Sequence, residues 1–271
     1  MANKQEQVEL AREDAAMSRD ELTFVIPTHN SEATIAGCIL SILTQEGVDK
    51  ARIVVVDDKS TDGSVDLVKN LMKTHLTANI FLRQFGRALT RAEARNRGLE
   101  LVDTSFVAFV DADVELPENW AWTLFELVKD DPKNVASADI YPEGYLAHIS
   151  QLFGVRYRPL KQDKLIPSHN FLCHTSMIRE LGGFDPSFVR GEDLEFSLRC
   201  IKKGVKSIRV KEIICRHNEG TTLTKVCRKV FLCGRAGCML LFKHRSLTVL
   251  RMYLGVLGVL ASMLMLPLLY H

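Results

Sequence analysis

The chain has 271 residues, of which 46% are hydrophobic and 25% are charged. This is an ordinary globular composition, so a disordered chain, a collagen-like fibre and a small disulfide scaffold are excluded. The formal net charge is only +2, but residues 220–251 carry seven basic and no acidic side chains, which leaves the rest of the chain acidic. A protein that binds nucleic acid through overall positive charge is not built in this way, so no nucleic-acid partner is expected.

The seven cysteines are odd in number and scattered, and the sequence contains no C-x-x-C pair. A secreted disulfide framework or a structural zinc site would need an even or closely spaced set. We therefore expect reduced thiols in a cytoplasmic environment. The first 22 residues are polar and helix-prone, which predicts an N-terminal extension at 1–22 and not a secretory signal.

From residue 23 onward, short apolar segments alternate with segments of helical spacing. The predicted strands are 23–27, 52–56, 79–84 and 106–110, and the predicted helices are 31–44, 62–74 and 91–101. Continuous apolar strands that alternate with helices indicate an α/β fold whose parallel sheet is covered by helices on both faces.

The second half of the chain has weaker signals. A turn is predicted at 181–185, followed by a helix that opens at the acidic segment 190–195 and turns Phe196, Leu198 and Ile201 inward. Residues 213–216 are predicted to form a short edge strand that leads to His217.

The C-terminal part of the sequence points to a membrane. Residues 220–246 form a basic segment in which apolar residues recur at three- and four-residue spacing, as in an interfacial amphipathic helix. The next segment, 247–271, contains 19 consecutive uncharged residues, and at about 1.5 Å per residue such a helix is long enough to cross a bilayer. The positive-inside rule then predicts a single-pass membrane protein with its main domain on the cytoplasmic face. A buried terminal helix and an ordinary basic surface helix are the alternatives.

Polar residues gather where the predicted strands end, which is where ligands bind in open α/β sheets. The first strand is followed by Pro27, Thr28, His29 and Glu32, the second by Asp57 and Asp58, and the fourth by Asp111, Ala112 and Asp113. Two carboxylates one residue apart form an oxygen-rich site that suits Mg²⁺ or Mn²⁺. The alternative is that these carboxylates only cap helices.

Six motifs in register carry a family resemblance. They are Val25–Asn30, Val55–Gly63, Ala94–Gly98, Val110–Asp113, Gly182–Asp185 and Gly191–Asp193, and a seventh stretch begins at His217. Together they resemble the family-2 inverting glycosyltransferases of the GT-A fold, over roughly residues 23–235.

The resemblance implies a Rossmann-like mixed sheet with helices on both faces. The glycosyltransferase domain would span 23–219, with a nucleotide-binding half at 23–115 and an acceptor half at 116–219. A UDP- or GDP-sugar donor would be bound by a set of nucleotide-site residues: Pro27, Thr28, His29, Glu32, Asp57, Asp58, Arg95, Asp111 and Ala112.

The resemblance also implies the chemistry. Asp111, Asp113 and His217 would hold Mn²⁺ or Mg²⁺, and Asp193 would be the catalytic base with Glu192 in support. Two features depart from the family pattern. His29 stands where Tyr is common, and no Q-x-x-R-W motif follows Asp193. The second departure predicts transfer of one sugar per encounter.

The predicted function is therefore an inverting transfer of one sugar from a nucleotide-diphosphate sugar to a hydroxyl or phosphate. The membrane segments favour a polyprenyl-phosphate or glycolipid acceptor. Two alternatives are a membrane-tethered protein that binds nucleotide sugars without catalysis, and a nucleotidyltransferase. A nucleotidyltransferase would need a glycine-rich basic loop near the N-terminus, and residues 27–32 contain no Gly, Lys or Arg.

Overall fold

The structure is a computed structural model that describes residues 22–47, 51–143, 164–218 and 222–244. Of the predicted segments, nearly all of the N-terminal extension and the whole of 247–271 lie outside the described residues. The expectations for those two segments therefore stay predictions.

The described residues form eight strands and seven helices. The strands are β1 (Leu22–Thr28), β2 (Arg52–Asp57), β3 (Asn79–Gln84), β4 (Phe106–Val110), β5 (Val114–Glu115), β6 (Asn134–Pro142), β7 (Asn170–His174) and β8 (Lys206–His217). The helices are α1 (Ile35–Leu43), α2 (Ser64–Thr74), α3 (Arg91–Leu99), α4 (Trp120–Val128), α5 (Thr175–Glu180), α6 (Glu192–Lys202) and α7 (Leu223–His244).

The strands form one mixed sheet in the order β3-β2-β1-β4-β7-β6-β8-β5. Strands β1 to β4 are parallel, as their continuous apolar sequences predict. Strand β7 runs antiparallel to both β4 and β6, and β5 runs antiparallel to β8. The mixed α/β fold predicted from the resemblance is confirmed.

The prediction of a short edge strand at 213–216 is wrong. Strand β8 has 12 residues and lies between β6 and β5, so it is an interior strand. Only Ile213 and Cys215 are buried in it. Because its other positions are half-buried or exposed, the sequence lacks the continuous apolar signal that marks β1, β2 and β4.

The core lies on both faces of the sheet, and alternate residues of β1 contribute to each face. Phe24 and Ile26 pack in the cluster formed with α1, α2 and α4, while Val25 packs in the cluster formed with α3, α5 and α6. Helices on both faces are therefore confirmed. Ile201 was expected to point inward from α6, but it is 37% exposed and Cys200 occupies the buried position.

Helix α7 packs against the domain through its second half. Ala236 and Leu240 are buried against Phe188 and Leu198 in a small apolar cluster of their own. Phe231 lies earlier in the same helix and is 74% exposed. Within the part of the chain that the structure describes, no helix is both long and apolar enough to cross a membrane.

Candidate active site

The sheet order explains why the polar strand ends meet. Strand β1 lies between β2 and β4, and its last residue, Thr28, is in register with Asp57. The carboxyl ends of these three parallel strands share one edge of the sheet. The residues that follow them therefore line a single cleft.

The loops after β1 and β2 are joined by side chains from both. The Nδ1 atom of His29 lies 2.6 Å from the backbone oxygen of Asp58. The carboxylate of Glu32 accepts a hydrogen bond from the backbone N–H of Gly63 at 3.1 Å. The buried carboxylate of Asp57 accepts from the backbone N–H of Ser60 at 3.3 Å. The predicted nucleotide-site residues of this region are thus brought together.

These residues differ in accessibility, which limits what each can do. His29 and Glu32 are exposed and Pro27 is half-buried, whereas Thr28 and Asp57 are buried. Direct contact with a nucleotide is thus open to the first three, while Asp57 holds the loop. Burial raises the pKa of Asp58, although the hydrogen bond from the backbone N–H of Leu89 opposes this shift.

Arg95 joins the end of β4 to the start of α6. Its guanidinium is fully buried and pairs with Asp111 at 2.5 Å and with Glu192 at 2.9 Å. Burial alone would raise the pKa of Asp111, but the positive charges of Arg95, Arg91 and His169 outweigh it and the pKa is lowered. Two acidic groups 81 positions apart in the sequence therefore flank one cation. Direct contact of Arg95 with a ribose or diphosphate stays a prediction.

Arg91 is a second cation at this place, and sequence reasoning missed it. It begins α3, it is exposed, and it lies in the field of Asp111 and Glu192. Desolvation lowers the pKa of Arg91, but these carboxylates more than compensate and raise it. A guanidinium beside the strand ends can attract an anionic substrate. The sequence signal was its one-turn spacing from Arg95 on the same helix.

Asp113 and His217 come together at the other side of the D-x-D loop. The Nε2 atom of His217 lies 3.4 Å from Oδ1 of Asp113, because β5 and β8 pair Val114 with His217. His169 stacks on His217 with ring centroids 5.5 Å apart and an angle of 4° between the rings. The backbone oxygen of His169 accepts a hydrogen bond from the backbone N–H of Asp111 at 3.0 Å. Its sequence position before β7 gave no signal.

Two of the three predicted metal ligands fit a divalent ion. Oδ1 of Asp113 is buried without a hydrogen bond, and Nε2 of His217 lies 3.4 Å from it, so a carboxylate oxygen and an imidazole nitrogen are close together. The third predicted ligand, Asp111, is paired with Arg95 instead. In the described ranges, no three Asp, Glu, His or Cys side chains are grouped as a metal site.

Asn96 lies next to Arg95 on α3, and its amide contacts the turn before α6. Its Nδ2 donates to the backbone oxygen of Phe184 at 2.7 Å, and its Oδ1 accepts from the backbone N–H of Phe184 at 2.8 Å. This two-point contact needs a glycine at position 183, where φ is +69° and a Cβ atom would lie 2.4 Å from Oδ1 of Asn96. Asn96 therefore fixes the Gly182–Phe184 turn that precedes α6.

Helix α6 has an acidic first turn, which is joined to the end of β4 through Glu192 and Arg95. Gly191 caps it in the left-handed conformation at φ +80°, and Glu192, Asp193 and Glu195 follow. Glu192 and Glu195 are buried, whereas Asp193 is only half-buried. Three carboxylates in a first turn are favoured by the helix dipole, and Asp193 is the most accessible of them.

Comparison with known proteins gives a consistent result. Residues 23–180 match the sequence profile described as glycosyl transferase family 2. A pre-mycofactocin glycosyltransferase of Mycobacterium tuberculosis is 30% identical over 83% of this chain and 48% of its own length. A Methanococcus voltae relative is 24% identical over 82% of this chain and 74% of its own length, and it is named as a diacetamido-dideoxy-glucuronosyltransferase acting on a dolichyl N-acetyl-glucosaminyl phosphate.

A solved structure supports the same fold. The mannosyltransferase of Pyrobaculum calidifontis, in complex with GDP-Man and Mn²⁺, has a TM-score of 0.64 and 18% identity, covering 93% of this chain and 82% of that one. The chain spans about half the length of the Mycobacterium relative it matches.

Proposed function

The chain belongs to glycosyl transferase family 2, and on this premise we propose that it transfers one sugar from a nucleotide-diphosphate sugar to a hydroxyl or phosphate acceptor. The transfer inverts the anomeric centre in a single displacement. The cleft at the ends of β1, β2 and β4 takes the nucleotide, and α6 faces the acceptor. The related mannosyltransferase holds GDP-Man, which supports a nucleotide sugar as donor here.

One observation carries the proposal. The buried guanidinium of Arg95 pairs with Asp111 after β4 and with Glu192 at the start of α6. An arginine held between two carboxylates in this way fixes the distance between the nucleotide half and the acceptor half. A protein that only bound nucleotide sugars would have no need of a fixed acidic helix start opposite the D-x-D loop.

Asp193 is the proposed catalytic base. It is half-buried, whereas the neighbouring Glu192 is buried and accepts a hydrogen bond from Arg95. Only Asp193 of these two can meet an acceptor hydroxyl and take its proton while the hydroxyl attacks the anomeric carbon. Glu192 positions the helix start through Arg95.

A divalent metal is also part of the proposal. Asp113 and His217 would hold it, and when bound it would neutralise the charge that develops on the departing diphosphate. The solved mannosyltransferase contains Mn²⁺. Arg91, exposed next to Asp111, adds positive charge on the same side.

The proposed acceptor is lipid-linked, and the proposed location is the cytoplasmic face of a membrane. On helix α7, Phe231 is 74% exposed and Phe242 is 82% exposed. Arg228 and Arg235 are exposed on the same helix. Exposed aromatic and basic side chains on one helix suit an anionic lipid surface. The Methanococcus relative is named for a dolichyl phosphate-linked acceptor.

The test of the proposed function is the identity of the nucleotide product. Incubation of the full chain with UDP-GlcNAc or GDP-mannose, Mn²⁺ and a polyprenyl-phosphate acceptor is expected to release nucleoside diphosphate, measured by chromatography. Pyrophosphate as the product would favour the nucleotidyltransferase alternative. Tight donor binding without any release would favour a binding protein.

The matched variant in this assay is Asp113→Ala. Removing a proposed metal ligand is expected to abolish the Mn²⁺-dependent part of donor binding in calorimetry. Asp66 is exposed on α2 and is not among the proposed ligand-binding residues, so Asp66→Ala should bind the donor like the wild type. Equal Mn²⁺ dependence in Asp113→Ala and wild type would remove Asp113 from the metal site.

Membrane attachment has a test of its own. Removing residues 247–271 is expected to release the protein from the membrane fraction while donor binding persists, and transfer to a lipid acceptor should fall at least tenfold. Removing residues 1–21 is the control and should change neither property. If the chain without 247–271 uses a lipid acceptor as well as the full chain does, the anchoring proposal is wrong.

A further inference from the structure

Lys243, near the end of α7, is tied to two carboxylates that lie on either side of Asp193 in the sequence. Its Nζ lies 2.5 Å from Oδ2 of Asp185 and 2.7 Å from Oε1 of Glu195. Phe188 lies below the same ammonium, with its ring centroid 5.5 Å away. A single cation thus joins α7 to the loop before α6 and to the first turn of α6.

Glu195 gives this contact its strength. Its side chain is fully buried and also accepts from Nε of Arg199 at 2.9 Å, while Nε2 of His244 lies 3.3 Å away. A buried carboxylate that loses one of its cations is costly, because its charge is then poorly compensated. Lys243 itself is 41% exposed, but Glu195 is fully buried, so this ion pair is screened less than one between two exposed side chains.

Apolar packing places the same two elements in close contact. Ala236 of α7 lies against Gly191, where a Cβ atom would come within 3.0 Å of the alanine methyl. Ala236 and Leu240 bury against Phe188 and Leu198. The left-handed cap of α6 is therefore covered by α7 itself.

The first turn of α6 is held from two directions. Arg95 binds Glu192 from the core side, and Lys243 binds Glu195 from α7. Asp193 lies between these two glutamates. Of the two cations, only Arg95 belongs to the sheet-forming domain, since Lys243 lies on α7.

We infer that Lys243 is a positioning residue for sugar transfer, which holds the α6 first turn, and with it Asp193, through its contacts with Asp185 and Glu195. The inference rests on the proposed function. It also makes α7 a structural support of the proposed active centre. A surface that binds the exposed side of α7 would then be linked to Asp193 through Lys243 and Glu195.

The experiment compares Lys243→Met with Lys243→Arg in the full chain. With UDP-GlcNAc or GDP-mannose as donor, Lys243→Met is expected to lower kcat at least tenfold and to leave the donor KM within twofold of wild type. Lys243→Arg keeps the charge and should recover kcat to within threefold. Hydrogen exchange of the backbone amides of residues 193–196 should be faster in Lys243→Met only.

The matched control is Lys129→Met, which removes a 2.8 Å ion pair with Glu126 on the exposed side of α4. It should change neither kcat nor exchange in α6. Unchanged kcat in Lys243→Met, or an equal loss of kcat and donor binding, would overturn the inference. If the wild type turns over no donor, the proposed function fails. The positioning role is then judged from hydrogen exchange alone. It is overturned if residues 193–196 exchange at the wild-type rate in Lys243→Met.

Discussion

Replacing Asp193 with asparagine is expected to lower the rate of sugar transfer by about 10²–10⁴-fold, the usual contribution of a general base. Asparagine keeps the size of the side chain and cannot take a proton. Donor binding should stay within about twofold of wild type, because the nucleotide cleft lies at the ends of β1, β2 and β4. The measurement is kcat from nucleoside diphosphate release, together with donor affinity from calorimetry.

Two controls sharpen this result. Asp66→Asn makes the same chemical change at an exposed position on α2 and should leave kcat unchanged. Glu192→Gln removes a charge that Arg95 binds in the interior, so it should lower stability as well as kcat. Wild-type transfer by Asp193→Asn would remove Asp193 from the role of base.

The sequence was most informative where strands are continuous and apolar. Strands β3 and β4 have the bounds predicted from their sequences, β1 is longer by one residue at each end, and β2 is longer by one residue at its C-terminal end. Helices α1 and α2 begin later than predicted, because the residues before them form capping turns. Thr34 and Ile35 both donate to the backbone oxygen of Ser31, and Asp62 accepts from the backbone N–H of Ser64.

The second half was less predictable for a physical reason. Strand β6 contains Ser137 and Asp139 within its apolar positions, and β8 is exposed over much of its length. Neither shows an unbroken apolar segment, so their pairing depends on contacts between distant parts of the chain. Tertiary context, which a local pattern does not contain, decides their place in the sheet.

The sequence predicted where the carboxylates of the candidate site lie, but it did not predict which cations pair with them. Acidic residues that follow strands must gather at one sheet edge, so Asp58, Asp111 and Asp113 could be found from spacing alone. The partners of those carboxylates are set by helix packing. Arg95 has the sequence context of a solvated helix face, and Lys243 is 48 residues away from Glu195. Only the folded structure brings them together.

Loss of the Arg95 side chain should strongly lower stability, because its guanidinium is fully buried between two carboxylates. Replacing it with methionine leaves Asp111 and Glu192 without their shared cation, and breaking a buried ion pair in this way costs about 3–5 kcal/mol. The matched control is Arg97→Met on the same helix. Its exposed pair with Glu100, at 2.9 Å, is worth less than about 1 kcal/mol. Urea unfolding at pH 7 measures both free energies of unfolding.

The pH dependence of the stability lost in Arg95→Met shows whether unpaired charge or lost packing causes it. In the wild type the pKa of Asp111 is below its ordinary value. This carboxyl therefore stabilises the fold at pH values above its unfolded pKa of about 3.9. The stabilisation is lost as the pH falls through the lower pKa of the folded state. In Arg95→Met the Asp111 carboxyl loses the cation that lowers its pKa most, so burial should raise that pKa relative to the wild type. The destabilising effect of the Asp111 charge is then present at neutral pH and disappears as the carboxyl becomes protonated. The difference in stability between wild type and Arg95→Met should therefore narrow between pH 7 and pH 5. A difference that stays constant over this range would mean that lost packing, and not unpaired charge, causes the instability.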